Sequence, residues 1–356
     1  MKTAIVGCGK VGHIHAAALV SLEESQFVGV CDADAGRAAA FAAQYGAQPF
    51  TDVRTMVSAT GTQALMVCTP HPQHAPNTVD AVECGAHVLI EKPMAASLED
   101  CDRMLAAARA AGKTLGIVSQ RRFYEPVVRM KRAIEEGRIG RPALGMMTML
   151  SWRDEAYYRS DPWRGTWAGE GGGVLVNQSP HQLDILRWLM GDVEEVTGYW
   201  ANVNHPSIEV EDTAVAALRF RGGGLASVVT SVSQRPGIYT KVHVHGSSGA
   251  SVGVQTDGGS TFIAGMSGIQ EPPVNDIWTI PGEEGKLAEW QAEDRARFAS
   301  MDPIAHYHGL QIRDFLQALE EGRAPLVTGE EGRAVTEIFT AIYRAQETGR
   351  PVRLPL

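Results

Sequence analysis

The sequence predicts an α/β protein with two domains, a doubly wound parallel sheet followed by a domain built on a mostly antiparallel sheet. Its 356 residues exceed the roughly 150 typical of one domain. Up to about residue 120, short apolar runs alternate with alanine-rich helical patterns, which is typical of a parallel sheet with crossover helices. Beyond Arg121, alternating strand patterns are separated by glycine turns. We therefore expect domains at 1–121 and 122–356.

The first domain contains apolar or β-branched runs that are bounded by turn residues, as in strands buried on both faces. Alanine-rich stretches between them have helical spacing. The predicted strands are Lys2–Gly7, Phe27–Cys31, Leu65–Cys68, His87–Ile90 and Leu115–Val118, and the clearest helices are Ala35–Tyr45 and Leu98–Ala111.

The second domain begins with a predicted helix and continues with strands of alternating polarity, which favour an antiparallel sheet with one solvated or partner-facing side. Two long helices close the chain. The predicted strands are Ala143–Ser151, Val193–Asn204, Thr213–Phe220, Leu225–Val232 and Tyr239–His245, the helices are Glu125–Glu136, Tyr307–Glu321 and Glu330–Thr348, and Ile269–Ser300 is expected to be irregular.

Composition and charge exclude several classes of protein. The net charge of −9 argues against a nucleic-acid groove or a membrane surface as the main partner. The sequence contains neither an 18-residue apolar run nor a signal-peptide pattern at its start, so we expect a cytoplasmic protein. The five cysteines lack Cys-x-x-Cys spacing, which indicates reduced structural thiols.

A nucleotide-binding motif follows the first predicted strand. The segment from Gly7 through Gly9, Lys10 and Val11 to Gly12 reads Gly-x-Gly-x-x-Gly and precedes a helix, the arrangement that admits a dinucleotide pyrophosphate at a helix amino end. Asp32 ends the next strand, 20 residues after Gly12, where an acid accepts hydrogen bonds from the ribose hydroxyls. This acid favours NAD over NADP, although Arg37 in the following turn would soften the preference.

Several further segments resemble the glucose–fructose oxidoreductase and inositol dehydrogenase (Gfo/Idh/MocA) family. They include Cys68-Thr69-Pro70, the Glu91-Lys92-Pro93 triplet after the fifth strand, and the closing segments 322–327 and 349–355. The resemblance covers the whole chain. It implies a Rossmann domain and a second α/β domain with a large open sheet, whose exposed face would form a homodimer or homotetramer. It also implies a nicotinamide-dependent oxidoreductase acting on sugars or cyclic polyols.

Lys92 is the first candidate catalytic residue. It follows a parallel strand, where side chains point into the ligand crevice. A partly desolvated lysine near an oxidised nicotinamide can relay a proton to or from a sugar hydroxyl. The resemblance also implies that the Lys92–Pro93 peptide is cis.

A second constellation follows Gly171-Gly172-Gly173. The segment resembles the family's glycine-rich strand and the helix with its catalytic histidine, which corresponds to His181. Asn177, four residues earlier, can share a helix face with His181. Many family members have aspartate where this chain has Asn177. An amide cannot exchange protons, so acid–base chemistry falls to Lys92, His181 or both.

Most of the remaining candidates lie in segments that resemble the family's cofactor and substrate cleft, and packing or salt-bridge roles stay open for each. Arginines crowd the predicted cleft segments, which favours an anionic sugar. Candidate cofactor contacts are Thr69, Pro70, His71, His74, Glu91, Gln120, Trp163 and Arg164; candidate substrate contacts are Arg122, Tyr157, Tyr158, His306 and His308; the other cleft arginines are Arg121, Arg153 and Arg159. His243 and His245 lack a third ligand nearby, and His71 and His74 resemble the family's usual helix start after the fourth strand, so no metal is predicted.

Three functions fit these features. The first is an NAD-dependent dehydrogenase that oxidises or reduces a secondary hydroxyl of a sugar, sugar acid or cyclic polyol, with Lys92 and His181 as the acid/base pair. The second is an NAD-dependent glycosidase that uses transient oxidation with retained NAD. The third is a non-catalytic NAD-binding regulatory protein, because a fold alone does not guarantee chemistry. The sequence leaves the sugar, the carbon and the reaction direction open.

Overall fold

A computed structural model describes residues 1–256, 261–263, 266–268 and 271–356. The chain divides into two compact units, the first formed by 1–120 with 304–336 and the second by 121–303 with 337–356. The sequence placed 304–336 in the second domain. In the structure, this segment contributes Ile312, Phe315 and Leu316 to a core that also contains Ile5 and Leu89, so apolar burial groups it with the first unit.

The first unit is built on a six-stranded parallel sheet in the order β3-β2-β1-β4-β5-β6. Most of its strands are short and largely buried, which accounts for their continuous apolar sequences, whereas β3 has no buried residue. The order reverses between β1 and β4, which is where doubly wound folds bind ligands. The strands are β1 (Lys2–Val6), β2 (Gln26–Cys31), β3 (Gln48–Phe50), β4 (Ala64–Val67), β5 (His87–Ile90) and β6 (Leu115–Ile117).

The second unit is built on an eight-stranded sheet in the order β15-β12-β11-β7-β10-β9-β8-β16. The β7–β10 pair is parallel and the remaining pairs are antiparallel. The strands are β7 (Pro142–Leu150), β8 (Val193–Ala201), β9 (Thr213–Phe220), β10 (Leu225–Ser231), β11 (Tyr239–Gly246), β12 (Ser251–Gln255), β15 (Val274–Trp278) and β16 (Val352–Arg353), with a separate hairpin of β13 (Thr261–Ile263) and β14 (Met266–Gly268). The predicted fold class is confirmed.

Helices cover the first sheet and one face of the second, where α9 packs on β7 and β11. They are α1 (Lys10–Ser21), α2 (Ala35–Tyr45), α3 (Val53–Thr60), α4 (His74–Glu83), α5 (Leu98–Ala111), α6 (Glu125–Glu135), α7 (Glu155–Arg159), α8 (Trp167–Glu170), α9 (Pro180–Met190), α10 (Lys286–Ala299), α11 (Pro303–Glu321) and α12 (Gly329–Thr348). Among the described residues, none of these helices is both long and apolar enough to cross a lipid bilayer.

The prediction that Ile269–Ser300 is irregular was wrong over most of its length. Residues 269–270 lie outside the described residues, but β15 and α10 occupy much of the remainder. The helix α10 is held by Asp294, whose Oδ2 accepts a 2.8 Å hydrogen bond from Arg129 Nη1, and by edge-on packing of Trp290 against Trp278. Asp294 is the buried member of this helix, so its sequence lacks an apolar stripe.

Candidate active site

The glycine turn between β1 and α1 has the geometry that a dinucleotide requires. Gly7 has a φ of +98°, and a Cβ on Gly12 would lie 2.2 Å from the Gly7 carbonyl oxygen. A Cβ on Gly9, in contrast, would meet nothing within 4 Å. The helix α1 begins without a side-chain cap, so its amino end suits a phosphate. The turn therefore fits a dinucleotide pyrophosphate.

Asp32 supports this turn from the end of β2. Its Oδ2 accepts a 2.9 Å hydrogen bond from Cys8 N, and its Oδ1 accepts one of the same length from Asp34 N. Arg37 Nη1 lies 3.5 Å from both oxygens and is more than half exposed. The carboxylate thus holds the turn in addition to standing at the position expected for ribose recognition.

Lys92 lies at the carboxyl end of β5, at the same edge of the sheet as the glycine turn. Its backbone N–H donates a 3.1 Å hydrogen bond to Glu91 Oε2. Glu91 is buried, and its Oε1 lies 2.8 Å from Nε2 of the buried His15. The Lys92–Pro93 peptide is cis, as the family resemblance implied. The segment that carries Lys92 is therefore fixed by a carboxylate below it.

His74 ties the loop after β4 to the loop after β5. Its Nε2 lies 2.9 Å from the Thr69 carbonyl oxygen, and its Nδ1 lies 3.0 Å from that of Pro93. The side chain is fully buried. The structure therefore contradicts our placement of His74 against the cofactor, because both ring nitrogens face backbone oxygens within the protein. The two oxygens of Glu91 bind His15 and the Lys92 backbone, and a contact of Glu91 with the cofactor stays a prediction.

The other predicted cofactor and substrate residues of the first unit lie near these loops or in the segment 304–336. Gly9, Lys10, Val11 and Pro70 are exposed, Thr69, Lys92 and Gln120 are half-buried, and His71 and His308 are buried. The ring of His308 packs edge-on to His15 at 5.7 Å. In the described part of the chain, His15, Glu91 and His308 form a group with ligand atoms within 4.8 Å of one another. Because His15 and Glu91 already share a hydrogen bond, we propose no metal there.

In the second unit, Asn177 and His181 lie on two successive helical segments. Residues Val174–Gln178 form a π-helical turn, in which Ser179 N donates to the Val174 carbonyl at 2.9 Å, and α9 then begins at Pro180. The expected glycine-rich strand is absent here, since the backbone winds into this turn. His181 occupies the first turn of α9, and both side chains are about nine-tenths buried.

The π-helical turn is anchored by Glu211. Its carboxylate accepts 2.9 Å hydrogen bonds from Gly173 N, Leu175 N and the Tyr343 hydroxyl. Burial raises the pKa of Glu211 to about 7, although these hydrogen bonds oppose the shift. A Cβ on Gly173 would lie 1.8 Å from the Glu211 carbonyl oxygen. Glycine is therefore required where this segment passes residue 211.

Tyr157 contacts two other predicted site residues of the second unit, Arg164 and Asn177. Its hydroxyl lies 2.6 Å from Arg164 Nη1 and 2.9 Å from Asn177 Nδ2. The Arg164 guanidinium also stacks on the rings of Tyr157 and Trp163, with centroid distances of 4.4 and 4.5 Å, and its Nε donates to Asp161 at 3.0 Å. Burial raises the pKa of Tyr157 to about 12, so this hydroxyl stays protonated at neutral pH.

Arg122 was expected on the cleft wall as a substrate contact, and the structure contradicts this. Its side chain is fully buried, with Nε and Nη2 donating to the two oxygens of Asp184 at 2.7 and 2.5 Å. A bidentate ion pair of this kind already satisfies the planar guanidinium. The exposed Arg159 pairs with Glu155, and Arg153 donates to the Trp152 carbonyl at 2.8 Å. The crowding of arginines is thus weaker evidence for an anionic substrate than the sequence indicated.

The remaining candidates contribute less. Tyr158 is buried against His205, His306 is half-buried beside Tyr307, and Arg121 is half-buried at the start of the unit. His243 lies 3.0 Å from Asp276, and His245 lies 2.8 Å from Ser251 Oγ. The residues that the sequence did not single out are His15, Glu170 and Glu211. Each acts on the backbone or on another side chain of the site, and a single sequence carries no spacing signal for such contacts.

A parallel sheet with a dinucleotide turn, followed along the chain by a unit with an open mixed sheet, fits a nicotinamide-dependent oxidoreductase. Residues 1–119 match a model described as "Oxidoreductase family, NAD-binding Rossmann fold", and residues 127–252 match the "GFO/IDH/MocA C-terminal domain". The chain belongs to the GFO/IDH/MocA family. It is an oxidoreductase whose Rossmann unit binds NAD.

Relatives with known structures or names extend over the whole chain. The WlbA dehydrogenase from Bordetella pertussis, solved with NADH and UDP-GlcNAcA, is 30% identical, with a TM-score of 0.87 over 100% of this chain and 98% of that one. Myo-inositol 2-dehydrogenase from Thermotoga maritima is 25% identical over 99% of this chain and 98% of the relative. The 1,5-anhydro-D-fructose reductase of Ensifer adhaerens is 26% identical over 98% and 97%, respectively.

Proposed function

We propose that this protein transfers a hydride between NAD and a secondary carbinol of a sugar, sugar acid or cyclic polyol. The observation that carries the proposal is the edge of the first sheet. There the glycine turn after β1, which has no side-chain cap, and Lys92 after β5 both lie at the edge formed by the carboxyl ends of the parallel strands. A phosphate-binding helix end and a mobile proton carrier at one edge suit cofactor-dependent chemistry on an alcohol.

Lys92 and His181 act as the acid/base groups in this proposal. When bound, NAD supplies the acceptor for the hydride. The hydroxyl proton then passes to the Lys92 amine or the His181 imidazole, which are side-chain types able to act as a general base toward an alcohol. Asn177 orients the hydroxyl through hydrogen bonding, because its amide does not exchange protons. The buried Glu91 accepts a hydrogen bond from the Lys92 backbone N–H, which fixes the point from which the lysine side chain extends.

The substrate class rests on the relatives. Their printed names include a nucleotide-linked sugar acid, a cyclic polyol and an anhydro sugar, which share a ring with secondary oxygen functions. We propose UDP-GlcNAcA as the first substrate to test, since it is bound in a solved relative that is 30% identical over 100% of this chain. Acidic sugars should then exceed their neutral analogues in kcat/KM.

The test is a substrate panel of UDP-GlcNAcA, myo-inositol and, with NADH, 1,5-anhydro-D-fructose, following NADH absorbance. Lys92→Ala and His181→Ala are compared with Lys113→Ala and His245→Ala, which change the same residue types away from the site. We expect losses of about 10²–10⁴-fold in kcat for the first two variants, with NADH affinity retained. Equal activity of Lys92→Ala and Lys113→Ala would remove Lys92 from the mechanism. Aglycone release from aryl glycosides without NADH accumulation would indicate the redox-neutral glycosidase instead.

We also propose that the protein forms a homodimer or homotetramer through the exposed face of the second sheet. Leu144, Met146, Val215 and Leu225 lie on this face at neighbouring register positions, and each is 40–52% exposed. Tyr199, paired with Val215 and 77% exposed, extends the patch. Light scattering after size exclusion should show a Leu144→Lys/Leu225→Lys variant at half the wild-type mass or less. An unchanged mass would place any interface elsewhere.

A further inference from the structure

The amide of Asn177 is oriented by a buried acid. Its Nδ2 donates to Glu170 Oε1 in a short hydrogen bond and to the Tyr157 hydroxyl at 2.9 Å. A carboxylate oxygen only accepts hydrogen bonds, so the amide atom that faces Glu170 has to be the nitrogen. Both N–H bonds of Asn177 are directed to these two partners. Every other contact of the amide is therefore made through Oδ1, a hydrogen-bond acceptor.

Glu170 is fixed independently of Asn177. Its side chain is 1% exposed, and its Oε2 accepts a 2.6 Å hydrogen bond from Gly165 N. Glu170 is the last residue of the short helix α8. At the start of this helix, Thr166 Oγ1 accepts a hydrogen bond from Gly169 N. The carboxylate thus has one oxygen bound to the backbone and the other aimed at position 177.

We propose that Glu170 is a positioning residue that makes position 177 an obligatory hydrogen-bond acceptor toward the substrate. The proposal rests on the proposed function, which places a substrate hydroxyl at Asn177. With Oδ1 as the presented atom, the site favours a hydroxyl that donates a hydrogen bond and disfavours a carboxylate or carbonyl oxygen at the same point. Glu170 is thereby a determinant of which substrate group can bind at Asn177.

The contact with Glu170 also explains why residue 177 carries an amide and not a carboxylate. An aspartate there would place a second carboxylate against Glu170 in a buried site. Two carboxylates in such contact do not both ionise, so the pair would hold a proton with a raised pKa. Exchanging the two residues, as in Glu170→Gln with Asn177→Asp, restores one acid and one amide. The introduced glutamine could then accept from Gly165 N through its oxygen and donate to the introduced aspartate through its nitrogen.

The experiment compares Asn177→Asp, Glu170→Gln and the double exchange with the wild type and with Gln44→Glu, an amide-to-acid change at an exposed position of α2. Stability toward urea, followed by tryptophan fluorescence, is measured between about pH 5 and about pH 8. For Asn177→Asp, the folded state binds more protons than the unfolded state across this range, so its stability falls as pH rises. We expect its folding constant to drop at least about tenfold relative to the wild type, and the double exchange to lack this drop.

Activity supplies the second readout. Glu170→Gln should lose about tenfold in kcat/KM, because the introduced glutamine can donate to Oδ1 and turn the amide of Asn177 around. The double exchange should recover most of this loss, since the aspartate at position 177 again presents an acceptor. A merely structural role of Glu170 would change stability alone and leave the kcat/KM of the folded Glu170→Gln variant at the wild-type value.

The outcomes separate this proposal from the proposed function. If the wild type oxidises no sugar, the proposed function fails, whereas the urea series still tests the Glu170–Asn177 contact. If Asn177→Asp does not fold and the double exchange does, the contact is supported, because the two variants differ only at residue 170. The proposal is overturned if Asn177→Asp follows the wild-type pH dependence or if the double exchange is no better than the single variants.

Discussion

Replacing Glu91 with glutamine removes the charge that faces His15 in the core of the first unit. Nε2 of His15 lies 2.8 Å from Glu91 Oε1, and the His15 side chain is 1% exposed. Burial by itself lowers the pKa of His15, but the Cys68 thiol and the Glu91 carboxylate outweigh it and raise the pKa to about 10. Burial likewise raises the pKa of Glu91, and the hydrogen bond from His15 reverses this and lowers it to about 2. The pair is therefore ionised at neutral pH.

The size and sign of the effect follow from these pKa values. A pKa raised from 6.5 to about 10 corresponds to about 5 kcal/mol at 1.36 kcal/mol per pH unit, and this sum is shared between Cys68 and Glu91, so it is an upper bound for the contribution of Glu91. Loss of one partner of a buried ion pair costs about 3–5 kcal/mol. The contribution of His15 is complete below pH 6.5 and is lost as pH rises through the folded-state pKa. That of Glu91 is complete above its ordinary value of 4.5 and is lost as pH falls toward 2. The pair thus stabilises most between pH 4.5 and 6.5.

Hydrogen exchange in β1 and β5 is the appropriate assay, because all seven tryptophans lie in the range 121–303 of the second unit and two units need not unfold together. Near pH 6, Glu91→Gln should lower the free energy of opening by about 3–5 kcal/mol. Near pH 9 the difference should shrink to about 1 kcal/mol. Glu23→Gln, an exposed change of the same type, should have little effect. If the free energy of opening differed between the wild type and Glu91→Gln by the same amount at both pH values, the ion pair would be refuted.

Three further predictions concern the glycine turn, a buried ion pair and cofactor choice. The Cβ introduced by Gly12→Ala would lie 2.2 Å from a backbone oxygen, so this variant should raise the Kd for NADH at least about tenfold in a fluorescence titration. The control is Gly309→Ala, whose Cβ would meet nothing within 4 Å and which should leave the Kd unchanged. Arg122→Met should destabilise the second unit by about 3–5 kcal/mol in urea, and Arg159→Met, at an exposed pair, by less than about 1 kcal/mol; equal costs would contradict the burial argument. Asp32→Asn should lower the preference for NADH over NADPH about tenfold, and an unchanged ratio of the two Kd values would show that another group sets it.

Strands and helices with a strong periodic pattern could be predicted from the sequence. The helices Ala35–Tyr45 and Leu98–Ala111 and the strand Thr213–Phe220 have the predicted bounds, because each alternates or repeats apolar residues against one core. The strand β3 has three residues and no buried side chain, so it carries no pattern. The helix α10 also lacks a recognisable pattern in the sequence, because the Arg129–Asp294 ion pair holds it in place of a stripe of apolar residues.

Residue types at the site could be predicted, but their partners could not. Arg122 and His74 were expected to contact ligands because the segments that contain them resemble family segments at the cofactor and substrate site. The structure instead commits Arg122 to Asp184, which is 62 residues away, and His74 to backbone oxygens of two loops. Such commitments depend on which side chains the fold brings together. A single sequence does not contain that information.

The spacing of Asn177 and His181 shows that the rule for residues four apart depends on the local backbone conformation. Two residues four apart share a face only if the backbone between them is α-helical. Here the π-helical turn adds a residue to the repeat, as the hydrogen bond from Ser179 N to the Val174 carbonyl shows. The direction of the Asn177 amide is set instead by Glu170, which lies before the glycines that permit the turn. The orientation of the Asn177 side chain therefore depends on its hydrogen bond to Glu170, and not on the helical spacing from which the sequence analysis predicted it.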